Sequence, residues 1–312
     1  MSTSPNSVAR LSWLRQWGTL GVLTCAGCAH EQVAVPSAPP AIAAPASWAG
    51  TLQGTNEWVS GSAGDLPVVI SVPHGGSLKP AEILDRTRGE TTMDSRTIEL
   101  ATAIIDAFRE RTGRAPYVIV CKLHRRKLDA NRDVTEAAAG NVDAERAWRE
   151  YHAFVDTACA DVQRRFGGGL YIDLHGHAHA MARLELGYLL SARELDATDA
   201  DIAELESKSS LSALRRHENV SFAALLRGPT SIGGLLSSEF DCVPSPATPS
   251  PGANAYFNGG FSTRVHTRVL PGLQIEAPLI GVRDTAENRA RFGRALSIAV
   301  ETFLETHANT RF

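Results

Sequence analysis

Three short apolar runs, at 67–72, 117–121 and 170–174, constrain this chain most, because each has the length and β-branched content of a buried strand. Segments of helical period lie between them. Ile98, Ala101, Ile104, Ile105 and Phe108 recur at helical spacing and end at Gly113, with Asp94 or Ser95 placed as the N-cap. A longer pattern from about 143 to 165 sets Trp148, Phe154, Val155 and Val162 on one side and stops at Gly167-Gly168-Gly169. Further strands are expected at 186–190 and 273–276, a surface loop at 243–251, and a last helix at 285–306. Strands alternating with helices predict a single three-layer α/β domain with a mainly parallel mixed sheet and functional groups at strand ends. With 312 residues, 43% of them hydrophobic, there is apolar material for that core.

The first fifty residues follow another pattern. Residues 1–30 hold no acid, carry Arg10 and Arg15, and then run uncharged from 16 to 28. That is the order of a secretory signal, and its apolar stretch falls short of the roughly 20 residues a membrane-spanning helix needs. Cys25-Ala26-Gly27-Cys28 resembles a bacterial lipobox with Cys28 as the lipid attachment site; Cys25 stands where Leu is usual and is a weaker candidate itself. A plain cleaved signal is the alternative. Residues 29–50, with Pro36, Pro39, Pro40 and Pro45 among Ala and Ser, suit a tether rather than a core. The expected organisation is a signal with lipobox at 1–28, a tether at 29–50 and a catalytic domain at 51–312, in an exported lipoprotein of the bacterial cell envelope. A net charge of −3, from 31 basic and 34 acidic residues without a basic block, excludes an electrostatic nucleic-acid binder. Cys121, Cys159 and Cys242 are widely spaced and odd in number, so buried thiols or at most one disulfide are expected.

Two strands run into glycine-flanked histidines, in Pro73-His74-Gly75-Gly76 and Asp173-Leu174-His175-Gly176-His177. Glycine allows close approach, and neutral imidazole is a common transition-metal ligand. A catalytic zinc site takes three N/O ligands and keeps one position open. The carboxylate is best sought at Asp94, with Glu90 and Glu99 as alternatives. Glu276 ends an apolar strand as a lone carboxylate, and Asp173 is placed to orient a ligand histidine. Asn131 and Arg132 follow the basic run 122–127, whose lysines read as solvated surface; Asn131 is a candidate substrate-binding residue, and Arg132 is either a bidentate clamp for a substrate carboxylate or an ion pair with Asp129 or Asp133. His177 is a candidate hydrogen-bonding group for substrate, Arg264 and His266 are candidate pocket residues, Arg183 and Glu185 a candidate supporting pair, and His152 is read as structural.

Taken in order, Pro73-His74-Gly75-Gly76, Asp94 to Thr97, Asp129-Ala130-Asn131-Arg132, Asp173 to His177, Gly259-Gly260-Phe261 and Gln274-Ile275-Glu276 resemble the N-formylglutamate amidohydrolase family, from about Leu66 to Phe303. The fold this implies is phosphorylase/hydrolase-like, as in metallocarboxypeptidases. The resemblance implies that His74, Asp94 and His175 bind one zinc ion, that Arg132 grips a substrate carboxylate, and that Glu276 is the general base. His177 and His179 make the loop after the third strand unusually rich in histidine, and an exported chain does not fit a cytoplasmic catabolic role.

The function this predicts is zinc-dependent hydrolysis of an amide in a small N-acyl amino acid or peptide-like substrate with a free carboxylate. Zinc lowers the pKa of water and polarises the carbonyl, while Glu276 takes the water proton and hands it to the leaving amine. A cell-wall amidase or carboxypeptidase, and a non-catalytic tethered binding module, are the alternatives; a binder has no use for a general base at Glu276.

Overall fold

In the computed structural model, residues 50–308, Thr310 and Phe312 are described, and they belong to one compact unit, Ala41–Phe312. The expected signal, Cys28 with its lipid, and the tether up to residue 49 lie outside the described residues.

Among the described residues the strands are β1 Thr51–Gln53, β2 Val59–Ser62, β3 Val68–Val72, β4 Tyr117–Cys121, β5 Leu170–His177, β6 Leu184–Gly187, β7 Cys242–Val243 and β8 Gly272–Pro278. They form one sheet in the order β1-β2-β4-β3-β5-β8-β6-β7. The pairs β3/β4, β3/β5, β5/β8 and β6/β7 are parallel, whereas β1/β2, β2/β4 and β6/β8 are antiparallel. The result is the three-layer α/β architecture with a mixed, centrally parallel sheet.

Side-chain alternation along the central strands feeds two cores. Ile70, Val72, Ile172, Leu174, Leu273 and Ile275 pack with Leu100, Ile104 and Phe108 of the helix Thr97–Thr112 and with Phe292, Leu296 and Phe303 of the helix Ala286–His307. Val69, Tyr117, Ile119 and Tyr171 pack on the other side with Tyr151, Val155, Ala158 and Val162 of the helix Val142–Phe166. Every residue of β3 is buried, as a strand covered by helices on both faces requires. The helix ends are chemically marked. Asn141 accepts from the Asp143 and Ala144 N–H groups, Gly167 closes that helix at φ 73°, Gly113 closes the helix Thr97–Thr112 at φ 71°, and Thr285 accepts from Asn288 N–H at the start of the last.

Several boundaries differ from the sequence reading. The strand expected at 186–190 is Leu184–Gly187, because Leu189 adopts φ 64° and its N–H turns to Asn258 O. The stretch 243–251 is a surface loop only in part, since Val243 joins the sheet and Pro244 and Ser245 are buried. The first long helix starts from Arg96 at φ 69°, with Thr97 Oγ1 donating to Asp94 O, so the Asp94 carboxylate is not spent on capping. Cys121, Cys159 and Cys242 are free, buried thiols, and burial pushes the first and last up to about 12.

The two helices on one face meet closely at Gly293, where an added Cβ would fall 2.6 Å from Ala103 O and 2.9 Å from Ala103 C. Helix propensity alone predicts that Gly293→Ala stabilises by about 1 kcal/mol, but backbone overpacking costs roughly 1–3 kcal/mol. Gly293→Ala is therefore expected to lower the urea midpoint; a raised midpoint would contradict this packing.

Candidate metal centre

The sheet delivers its polar groups at the carboxyl ends of β3, β5 and β8. His74 follows β3, and its carbonyl accepts the Asp94 N–H at 3.0 Å, tying the Asp94 loop to the strand end. On β5, Asp173 and His175 are two residues apart and so share a face; in register across β8 they meet Gln274 and Glu276, and Glu276 in turn opposes Glu185 of β6. His175, Glu276 and Glu185 therefore stand on one rung across three neighbouring strands.

His74, Asp94 and His175 converge, with their ligating atoms all within 4.8 Å of one another. Asp94 Oδ2 lies 3.2 Å from His175 Nδ1 and 3.4 Å from His74 Nδ1, and it accepts the Gly176 N–H at 3.1 Å. The far nitrogen of each imidazole faces a buried carboxylate. His74 Nε2 is 2.6 Å from Asp129 Oδ1, and His175 Nε2 is 3.2 Å from Asp173 Oδ2. This pattern fixes Nδ1 as the ligating nitrogen of both rings. His74 Nδ1 is buried and has no hydrogen-bond partner among the described residues, a costly state for a polar atom unless something is bound to it. The donor set, two imidazole nitrogens and one carboxylate, fits zinc or a similar divalent ion.

The orienting carboxylates are themselves held. Asp173 accepts from Ser71 Oγ at 2.9 Å and Thr263 Oγ1 at 3.0 Å, while Asp129 accepts from Arg125 Nε at 2.9 Å and lies 3.8 Å from Arg86 Nη1. Burial would raise the Asp94 carboxyl, but the neighbouring imidazoles of His74 and His175 hold it well below the usual carboxylate range. Burial would likewise lower His175, yet the Asp173 carboxylate, helped by Asp94, raises it well above the ordinary imidazole value. The centre is thus built to favour positive charge. Glu276 is the opposite case. Desolvation pushes it up to about 8, with the Asp94 and Glu185 carboxylates adding to the rise against the pull of His175. Gln274 Nε2 donates to Glu276 Oε1 at 3.1 Å.

These groups open on a cavity of about 630 Å³ whose lining includes His74, Asp94, His175, Glu276, Arg125, Asn131, Arg132 and His179. Arg132 is not paired with Asp129 or Asp133; its Nη1 donates to Asn131 O and its Nε lies 3.3 Å from Glu136, while Nη2 has no partner among the described residues. Asn131 Oδ1 accepts the Ser262 N–H, and its Nδ2 lies 3.3 Å from His175 Nε2.

Other expected residues fall elsewhere. Glu99 is exposed, paired with Arg96, and Glu90, though on the cavity wall, is exposed and occupied by the Thr91 and Thr92 N–H groups, which leaves Asp94 as the carboxylate of the cluster. Arg264 is exposed on the helix Phe261–His266 and is not among the cavity-lining residues. His266 also misses the cavity; it is fully buried between Asp156 and His152, whose own ring reaches Ala130 O. Glu185 does not pair with Arg183 but with His179. Lys127, read as solvated, is buried with its ammonium on Ile83 O and Asp85, because the chain folds back over the basic run. His177 lines the cavity with both ring nitrogens taken by backbone, Nε2 on Arg183 O and Nδ1 on His179 N–H.

Two arginines carry roles the sequence did not signal. Arg125 bridges Asp129 and, at 3.6 Å, Asp94. Arg283 donates to the carbonyls of Ala277, Ser95 and His177, clamping three segments that border the centre. Its guanidinium lies flat where a Cβ on Gly176 would sit, 2.4 Å from Cζ, so Gly176 makes room for an arginine rather than for a ligand.

No family model and no curated protein matches the sequence. Among solved structures, the chain is similar to N-formylglutamate amidohydrolase from Ralstonia eutropha, with 15% identity and a TM-score of 0.43 over 77% of this chain and 93% of that one. It is similar to a gene product from Agrobacterium tumefaciens, with 14% identity and a TM-score of 0.49 over 81% and 96%. The succinylglutamate desuccinylase of Chromobacterium violaceum matches at 12% identity and a TM-score of 0.38, over 82% and 68%. The first of these bears the name of the family that the sequence motifs resemble.

The Glu276 shift has a thermodynamic consequence. In protein stripped by chelator, the folded chain keeps a proton at Glu276 that the unfolded chain releases above the ordinary value of 4.5, so this group costs stability as pH rises from there to about 8. Glu276→Gln removes the cost. The variant is expected to be more stable than wild type near pH 8 and to lose that advantage near pH 5 in urea titrations; parallel pH profiles for the two proteins would contradict the shift.

Proposed function

We propose that this chain is a zinc-dependent amidohydrolase acting on a small N-acyl amino acid or peptide-like amide that carries a free carboxylate. The observation that carries the reading is the junction of two features in one cavity: a three-ligand cluster whose imidazoles are each backed by a carboxylate, and a separate buried carboxyl, Glu276, one strand away. His74 Nδ1, Asp94 Oδ2 and His175 Nδ1 would hold the ion. When bound, zinc supplies a Lewis acid that polarises the scissile carbonyl and acidifies water.

The chain's own groups do the rest. Glu276 accepts a proton from the attacking water; a base is most effective with a pKa near the working pH, and burial has moved this one to about 8. Arg132, with its free Nη2, clasps the substrate carboxylate at the cavity wall. Arg125 places a second guanidinium near Asp94, where negative charge develops on the carbonyl oxygen during attack. Arg283 and Asn131 keep the strand ends in place. A pure binding module would need the cluster and Arg132 but not Glu276, which is costly to bury and is held by one side-chain donor.

Full-length protein assayed on N-formyl, N-acyl amino acid and muropeptide amides should hydrolyse at least one, lose activity with chelator and regain it with zinc. Glu276→Gln is expected to keep metal while kcat falls by about 100-fold or more with KM little changed. Arg132→Lys should raise KM chiefly for substrates with a free carboxylate. Near wild-type turnover in Glu276→Gln would remove the general base, and loss of metal in it would make Glu276 a ligand.

A further inference from the structure

Beyond the metal cluster, a second group of histidines and carboxylate comes together at His177, His179 and Glu185, of which the two histidines line the same cavity and Glu185 is buried behind them. It is not a second metal site, because His177 has both nitrogens occupied by backbone. What remains is a dyad. Glu185, fully buried, accepts from His179 Nδ1 at 2.8 Å through Oε1 and from Phe257 N–H at 2.8 Å through Oε2. Both carboxylate oxygens are thereby fixed, and they fix the ring in turn. Phe257 stacks on the imidazole at 4.5 Å between centroids and 25° between planes, so the ring has little freedom to rotate.

His179 lines the cavity, and with Nδ1 committed to Glu185 its Nε2 is the remaining nitrogen, which has no hydrogen-bond partner among the described residues. The His179 side chain is 22% exposed, enough to exchange protons with solvent. A buried carboxylate that locks one imidazole nitrogen and presents the other to a reacting atom is the arrangement of a proton-transfer histidine. Glu185 stands in register opposite Glu276 on the neighbouring strand, while His179 lies in the loop between β5 and β6 and reaches Glu185 from there.

We infer that His179 is the proton donor to the leaving nitrogen, and that Glu185 is its positioning residue. This rests on the amidohydrolase reading above. Water adds to the acyl carbon and gives one proton to Glu276; the C–N bond then breaks as His179 delivers a proton from Nε2 to the nitrogen, yielding a carboxylic acid and an amine. His179 recovers a proton from solvent, and Glu276 releases the one it took. Atoms and charge balance, and Glu276 is relieved of the second transfer.

The test uses a matched pair of substrates on the full chain, an N-acyl amino acid and the S-acyl mercapto acid of the same skeleton and acyl group. An amine leaves only after protonation, whereas a thiolate leaves without it. In His179→Gln, kcat on the amide is expected to fall by about 100-fold or more while the thioester stays near wild type, with metal content unchanged. Glu185→Gln and His179→Asn, as second variants, should show the same preference for the thioester. Equal losses on both substrates, or an unaffected amide, overturn the role of His179 while leaving the enzyme reading intact. Wild-type protein that cleaves neither substrate overturns that reading, and this inference with it.

Discussion

Two strand ends are tied together by one carboxylate. Asp94 Oδ2 sits between His74 and His175, takes the Gly176 N–H, and belongs to a loop whose own N–H is held by His74 O. The ends of β3 and β5 meet on it, while the first long helix is held by the Asp94 carbonyl, which accepts from Thr97 N–H and Oγ1. Burying such a carboxylate is expensive unless positive charge is close. The surroundings supply that charge through Arg125 at 3.6 Å and the raised His175, and His74 Nδ1, without a hydrogen-bond partner among the described residues, faces the same carboxylate at 3.4 Å.

The sheet also separates two electrostatic jobs across a single rung. His175 is held toward the charged form by Asp173 and Asp94, and its register neighbour Glu276 is held toward the neutral form by desolvation and by Asp94 and Glu185. Both pKa values are raised, that of His175 by carboxylates that favour its charged form and that of Glu276 by desolvation that disfavours its own. Arg283 contributes by geometry: it spans Ala277, His177 and Ser95 through their carbonyls, without a carboxylate of its own.

The central fold was legible because local rules and tertiary demands agree. Continuous apolar runs gave β3, β4 and β5 within a few residues, and glycines marked the ends of the first two long helices. β1 and β2 gave little signal, since Thr51–Gln53 and Val59–Ser62 mix polar residues at a sheet edge. His74, Asp94, His175, Asn131, Arg132 and Glu276 share a cavity that their spacing in the chain does not reveal by itself; the ordered set of motifs did. Asp129 was noticed as a partner for Arg132, yet it serves His74, and Arg125, Arg283 and Glu185 act through contacts far apart in sequence or hidden inside a basic run that looks like surface. Arg264 and His266 illustrate the reverse error, because following a glycine turn places a residue near a loop but does not say which way a helix will face.

The most direct measurement is calorimetric titration of zinc into chelator-stripped full-length protein, in buffers of differing ionisation enthalpy near neutral pH. The raised His175 must shed its proton before Nδ1 can ligate, so binding is expected to saturate at one ion per chain with net proton release, and to be lost in His74→Ala. Saturable binding that persists in His74→Ala, or none in wild type, would contradict a metal centre at His74, Asp94 and His175.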